Sequence, residues 1–130
     1  MFDIVLYEPE IPPNTGNIVR LAANAGARVH LVRPLGFTLD HKKLVRAGLD
    51  YADFSEVTLH EDWRACVSHL EGRRMFAVTT RGASRYDLAR YRENDVFIFG
   101  PETRGLPEDV LLSLPPERRL RVPSSRGSAA

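Results

Sequence analysis

Apolar positions in this chain fall in short continuous runs separated by helical patterns. Ile4, Val5 and Leu6 form the first run, which fits a strand covered on both faces. Residues 14–25 predict a helix. Ile18, Leu21, Ala22 and Ala25 stand at i, i+3, i+4 and i+7, with Asn14 as a candidate N-cap and Gly26 as a stop. Residues 29–32 predict a second strand, closed by Pro34 and Gly36, and residues 40–47 a second helix ended by Gly48. Further strands are expected at 57–59, 75–79, 95–99 and 120–122, and further helices at 62–70 and 107–112, with Pro107 in the first turn of the last. Strands alternating with helices at this spacing predict an α/β fold with a doubly wound, mostly parallel sheet. Ligands of such sheets sit beyond the carboxyl ends of the strands, so the loops after Leu6, Thr79, Phe99 and Val122 are the candidate site.

The first of those loops carries unusual chemistry. The stretch EPEIPPNTGNIVR crowds three prolines and a glycine into a turn and then starts a helix with Asn14, Asn17 and Arg20 on board. Asn17, Arg20 and Asn24 share one helical face, roughly opposite the apolar stripe. These residues suit a capped, solvated helix face; they equally suit a polar cluster beside a crevice, with Asn14 and Arg20 turned to a phosphate or ribose. After the strand at 95–99 comes FGPETRGLP, in which Gly100 and Gly105 bracket Pro101, Glu102 and Arg104. Glycine there permits close approach of backbone to a ligand, though a tight turn with a surface ion pair would use the same residues.

Composition narrows the picture. The 130 residues are 43% hydrophobic and 27% charged with a net charge of +1, enough apolar content for one domain with a real core. Overall charge does not point to nucleic acid, so any basic patch must be local. His41, Lys42, Lys43 and Arg46, with Tyr51 beyond, form one such cluster, and Arg81, Arg85, Arg90 and Arg92 another. They read as solvated faces or as grips on phosphates with an aromatic to stack on a base. The one cysteine, Cys66, lies in a predicted helix and is expected to be a core residue. His30, His41, His60 and His69 are scattered without ligand spacing, and no metal is expected. Neither a basic-then-apolar leader nor an apolar stretch of membrane-spanning length is written, so the cytoplasm is the expected location. Neither a G-x-G-x-x-G nor a P-loop pattern follows any strand. Past Pro123 the residues SSRGSAA have no periodicity and no large apolar side chain; a domain of residues 1–123 with a disordered tail at 124–130 is expected.

Taken together, LYEPEIPPNTGNIVRLAANAG, RAGLDY and FGPETRGLP resemble the SPOUT class of methyltransferases, and within it the small tRNA 2′-O-methyltransferases acting on wobble position 34. The pattern runs from Phe2 to about Pro123. The resemblance implies a sheet of the α/β-knot type, a homodimer, S-adenosylmethionine as methyl donor (leaving S-adenosylhomocysteine), and the anticodon stem-loop of a tRNA as substrate. It implies Asn14, Arg20 and Glu102 as catalytic residues. The cofactor would lie in loops holding Val78, Thr79, Gly100, Pro101 and Val122. Lys42, Lys43, Arg46 and Arg104 are then the candidate RNA contacts. Members of the class continue past the Arg121-Val122-Pro123 stretch with a serine- and asparagine-rich loop and an apolar helix, a pattern that SSRGSAA does not match. A catalytically inactive RNA-binding domain lacking that third motif is therefore the alternative expectation. An unrelated α/β nucleotide-binding enzyme is a further alternative, disfavoured by the missing glycine fingerprint.

Overall fold

The computed structural model describes residues 2–37, 57–79, 82, 84–85 and 91–122. Seven strands form one sheet: β1 (Asp3–Tyr7), β2 (Arg28–Val32), β3 (Thr58–His60), β4 (Met75–Thr79), β5 (Ser84–Arg85), β6 (Val96–Phe99) and β7 (Arg119–Arg121). Their spatial order is β3-β2-β1-β6-β4-β7-β5, and every pairing is parallel. All carboxyl ends therefore share one rim. Helices α1 (Pro12–Ala25), α2 (Trp63–His69) and α3 (Glu108–Leu112) flank the sheet, and a 3-10 turn at Pro116–Arg118 leads into β7. The expected helix at 40–47 lies outside the described residues.

The continuous apolar runs become strands covered on both sides. Alternate residues feed two cores. Val5, Val32, Ala77, Val96 and Ile98 pack with Cys66 and Leu70 around α2 and with Val110 and Leu111 of α3. Leu6, Val29 and Leu31 pack on the other side against Val19 and Ala22 of α1. This is the doubly wound arrangement that the pattern predicts. Cys66 is fully buried, as expected, and burial pushes its thiol up to about 12.

Two details of α1 differ from the sequence reading. Its buried stripe is Thr15, Val19 and Ala22 with half-buried Ile18, whereas Leu21 is 68% exposed and Ala25 is exposed. At about 100° per residue, Leu21 lies some 120° away from the centre of that stripe. Asn14 is also not the N-cap. The helix begins at Pro12 with Ile11 in the cap position, and no side chain among the described residues caps it. Pro12 and Pro13 carry no N–H, so two of the donors that a cap would serve do not exist.

Strand β5, two residues long, was not expected. Among the described residues it pairs only with β7, which enters the sheet between β4 and β5. Gly82, the described residue between β4 and β5, passes β7 closely. A Cβ on Gly82 would stand 2.3 Å from the carbonyl carbon of Leu120 and 2.5 Å from the nitrogen of Arg121; only glycine lets the two backbones come so near. The residues beyond 122, including the tail expected at 124–130, lie outside the described residues.

Candidate active site

Strand β1 leads onward to β2 on one side of the sheet, and β6 leads onward through α3 to β7 on the other. The neighbouring carboxyl ends of β1 and β6 therefore mark the point where the winding reverses, the crevice in which open parallel sheets bind ligands. The two loops singled out in the sequence, residues 8–11 and 100–105, leave from these two strands.

They are clasped together by side chains. The Glu10 carboxylate accepts hydrogen bonds from the Thr103 backbone N–H (2.8 Å) and hydroxyl (2.7 Å), across 93 residues of sequence. In return the Glu102 carboxylate accepts from the backbone N–H groups of Glu10 (3.2 Å to each oxygen) and Ile11. Glu102 thus lies at the positive end of the α1 dipole, where a carboxylate is favoured. Arg104 adds ion pairs to Glu8 (3.3 Å) and Glu10 (3.7 Å). The Glu10 carboxyl is held below its ordinary range, first by the Thr103 N–H, then by the Thr103 hydroxyl and Arg104.

The loop from β1 is also held from its other side. Glu8 takes a left-handed conformation (φ 45°) and its N–H donates to the Val32 carbonyl, while the Gly36 N–H donates to the Pro9 carbonyl at 2.8 Å. The turn from β6 is tight. A Cβ on Gly100 would meet the Leu106 nitrogen at 2.4 Å and the Gly105 carbonyl carbon at 2.6 Å. The Gly105 N–H closes the turn on the Pro101 carbonyl at 2.8 Å.

The candidate cofactor residues gather on the same rim. Val78 and Thr79 end β4, Gly100 and Pro101 follow β6, and Val122 follows β7, in adjacent strands. The Val122 N–H donates to the Thr79 carbonyl at 2.9 Å, which ties two of these ends together. Asn14 lies in the first turn of α1 and Arg20 farther along it, both exposed. Of the candidate RNA contacts, Arg104 is exposed but engaged by two glutamates; Lys42, Lys43 and Arg46 lie outside the described residues, as do Tyr51, Arg81 and Arg90. Arg92 is exposed, and its N–H bonds Asp95.

A sequence profile of the SpoU rRNA Methylase family matches residues 1–129. The chain belongs to this family. Two named enzymes are close to it in sequence. The tRNA (cytidine(34)-2′-O)-methyltransferase of Methylovorus glucosotrophus (strain SIP3-4) is 60% identical over 123 residues, 95% of this chain and 80% of that protein. The enzyme of the same name from Escherichia coli (strain K12) is 53% identical over 95% of this chain and 78% of its own length. A solved structure concerning the 2-OH methylation of C/U34 on tRNA superposes with a TM-score of 0.85 at 48% identity, covering 96% of this chain and 81% of its own. The resemblance to SPOUT methyltransferases and the α/β fold expected from it are thereby borne out.

Two side-chain clusters of this SpoU chain, one at the site and one away from it, carry no mark in the sequence. Glu10 and Thr103, which make the clasp, look like ordinary surface polar residues when taken singly. The histidines, scattered in sequence, also come together in part. His30 and His60 are buried, and their rings lie within 5.6 Å of the exposed ring of His69. His30 bonds Asp3 at 2.6 Å through Nε2 and His60 at 2.9 Å through Nδ1. No group of three or more His, Cys, Asp or Glu among the described residues is arranged to hold a metal ion.

Proposed function

We propose that this chain methylates the 2′-hydroxyl of the wobble nucleotide of tRNA, position 34, using S-adenosylmethionine as methyl donor. The observation that carries the reading is the extent of the likeness to the enzymes of that name: 60% identity across 95% of this chain, with both loops of the rim included. The rim fits the cofactor. Val78-Thr79, Gly100-Pro101 and Val122 bring backbone together at three adjacent strand ends, the kind of surface that a nucleoside can approach closely where glycine leaves room. When bound there, the cofactor supplies a sulfonium methyl group.

The chain's own part is alignment and the handling of one proton. Methyl transfer to an oxygen requires the nucleophile in line with the methyl group, and holding that geometry is a large share of the catalysis. Arg20 is assigned as the clamp on the ribose or its phosphate. A guanidinium holds its proton too tightly to serve as a base; its charge acts by lowering the pKa of the hydroxyl, whose proton passes to solvent water. Asn14, on the same helix, helps to orient the substrate. Glu102 serves through its grip on the backbone ahead of α1, which fixes where Asn14 and Arg20 stand.

Lys42, Lys43, Arg46 and Arg104 are assigned to the tRNA backbone, where cations replace condensed counterions. A homodimer is part of this reading, with the exposed Leu21 and its polar neighbours on α1 as a surface for a second copy. A cytoplasmic location is assigned as well; no helix among the described residues is long and apolar enough to cross a membrane. Residues 1–123 are assigned as the methyltransferase domain and 124–130 as a tail. Calorimetric titration with S-adenosylmethionine, followed by transfer of labelled methyl to a tRNA with an unmodified position 34, tests the proposal. Saturable heat and labelled ribose are expected. RNA binding without cofactor heat would instead identify an inactive RNA-binding domain.

A further inference from the structure

We propose that Glu10 and Thr103 are positioning residues of this site: their hydrogen bonds hold the turn from Gly100 to Gly105 against the start of α1, in the place where its backbone grips the methyl donor. The inference rests on the cofactor assignment made above and adds to it two residues that touch neither substrate nor donor.

The turn does not place itself. Its internal bond, from the Gly105 N–H to the Pro101 carbonyl, fixes its shape but not its position on the rim. Pro101 and Leu106 are buried, yet Glu102, Thr103 and Arg104 between them are exposed, so no apolar packing locates the tip. Location comes from polar bonds to the opposite loop. Both Thr103 donors converge on Oε1 of Glu10, and the Glu10 N–H returns a bond to the carboxylate of Glu102. Glu10 therefore accepts through its side chain and donates through its backbone, so neither loop can slide without breaking bonds in both directions. The Glu10 carboxyl stays ionised at neutral pH, because Thr103 and Arg104 hold it below its ordinary range. An exposed cluster of this kind adds little to global stability. What it fixes is geometry, where small displacements cost catalysis dearly.

The test compares the full chain with Glu10→Ala, Thr103→Val and Thr103→Ser. Three quantities are measured: the Kd for S-adenosylhomocysteine by calorimetry, the Kd for an anticodon stem-loop RNA, and amide hydrogen exchange at Thr103 and Gly105. Glu10→Ala is expected to weaken S-adenosylhomocysteine roughly tenfold, about 1.4 kcal/mol. Thr103→Val is expected to weaken it by about half that in free energy, roughly threefold, since one of two bonds survives. Thr103→Ser, which keeps the hydroxyl, restores native affinity. RNA affinity falls by no more than roughly twofold in any variant, since loss of Glu10 only frees Arg104 from one of its carboxylates, and exchange at Thr103 and Gly105 quickens only in the first two variants. Native S-adenosylhomocysteine affinity in Glu10→Ala overturns the proposal. So does an equal loss of RNA affinity, or failure of Thr103→Ser to recover, since either is the mark of a merely structural defect. If the unaltered chain gives no heat with S-adenosylhomocysteine while Thr103 and Gly105 exchange slowly, the cofactor assignment falls, and the claim that the clasp serves it falls too. Loss of cofactor affinity in the variants alone falls to the clasp.

Discussion

Asp3→Asn is the substitution whose cost the geometry defines best. Asp3 is 1% exposed. Its Oδ1 accepts from Arg28 (Nε at 3.0 Å, Nη2 at 2.9 Å) and Arg73 (2.7 Å), and its Oδ2 faces His30 Nε2 at 2.6 Å. Two opposing effects are in play. Burial penalises the carboxylate, and asparagine removes that penalty; the hydrogen bonds from Arg73, Arg28 and His30 favour the charge, and asparagine weakens them. The second effect wins, because the Asp3 carboxyl ends well below its ordinary range despite its burial. Asparagine keeps the shape and one acceptor. Each charge-assisted bond becomes an ordinary one, a loss of about 1 kcal/mol for Arg73 and a similar amount for His30. The Arg28 side chain is 52% exposed, so its share shrinks to about 0.5 kcal/mol through solvent screening. The amide of the new side chain can face His30 only if His30 and His60 both change tautomer, which keeps their mutual bond. The expected destabilisation is about 2–3 kcal/mol. Urea unfolding at neutral pH measures it as a lower midpoint with unchanged slope. A loss below about 1 kcal/mol, or any gain, would show that desolvation outweighs the bonds and refute the reasoning.

Four more outcomes are expected. Gly100→Ala forces backbone atoms of Gly105 and Leu106 apart, so it should cost about 1–3 kcal/mol and weaken cofactor binding; native unfolding and native affinity together would contradict the tight turn. Thr15 is buried, and its hydroxyl has no partner among the described residues, so Thr15→Val should leave stability unchanged or raise it by about 1 kcal/mol. Stability should fall with acid below about pH 6.5. Burial lowers His30 and His60 despite the Asp3 bond, with His69 and Arg73 opposing charge on His30 and with His30 and His69 opposing it on His60. The unfolded chain therefore takes up protons first as pH drops, and depressed Asp3 extends the loss below about pH 4. A thermal midpoint that stays flat between about pH 7 and 5 would contradict this. Arg20→Ala should abolish most turnover while cofactor affinity holds, with Arg20→Lys recovering part of it; native turnover in Arg20→Ala would remove the clamp.

Much of the fold could be read from the chain because its strands are buried on both faces. Runs such as residues 4–6 and 75–79 need no partner to be recognised. The misreadings have local causes. Leu21 belongs to the apolar stripe by spacing only if alanine and leucine count alike, whereas Thr15 and Val19 carry the actual packing. The helix start moved because two prolines stand where a cap would serve N–H groups. Strand β5 has two residues and owes its pairing to β7, so no pattern within it could announce it. At the site, the glycines and prolines of the rim were legible because turns demand them. The clasp was not, since a glutamate and a threonine 93 positions apart carry no mark of each other.

The two ends of β1 divide the work of the molecule. At its start, Asp3 is buried among two arginines and a histidine and pins β1 to β2 and to the segment between α2 and β4. At its finish, Glu8 is in a left-handed conformation and Glu10 meets Thr103 in an exposed clasp. Buried bonds to charged groups carry stability, and exposed ones carry position. Substitutions at the two ends should therefore separate: Asp3→Asn lowers the unfolding midpoint and leaves cofactor affinity native, and Thr103→Val does the reverse. Five parallel residues of backbone connect the two ends, and β1 lies between β2 and β6, so the strand is rigid enough to keep a disturbance at one end from reaching the other.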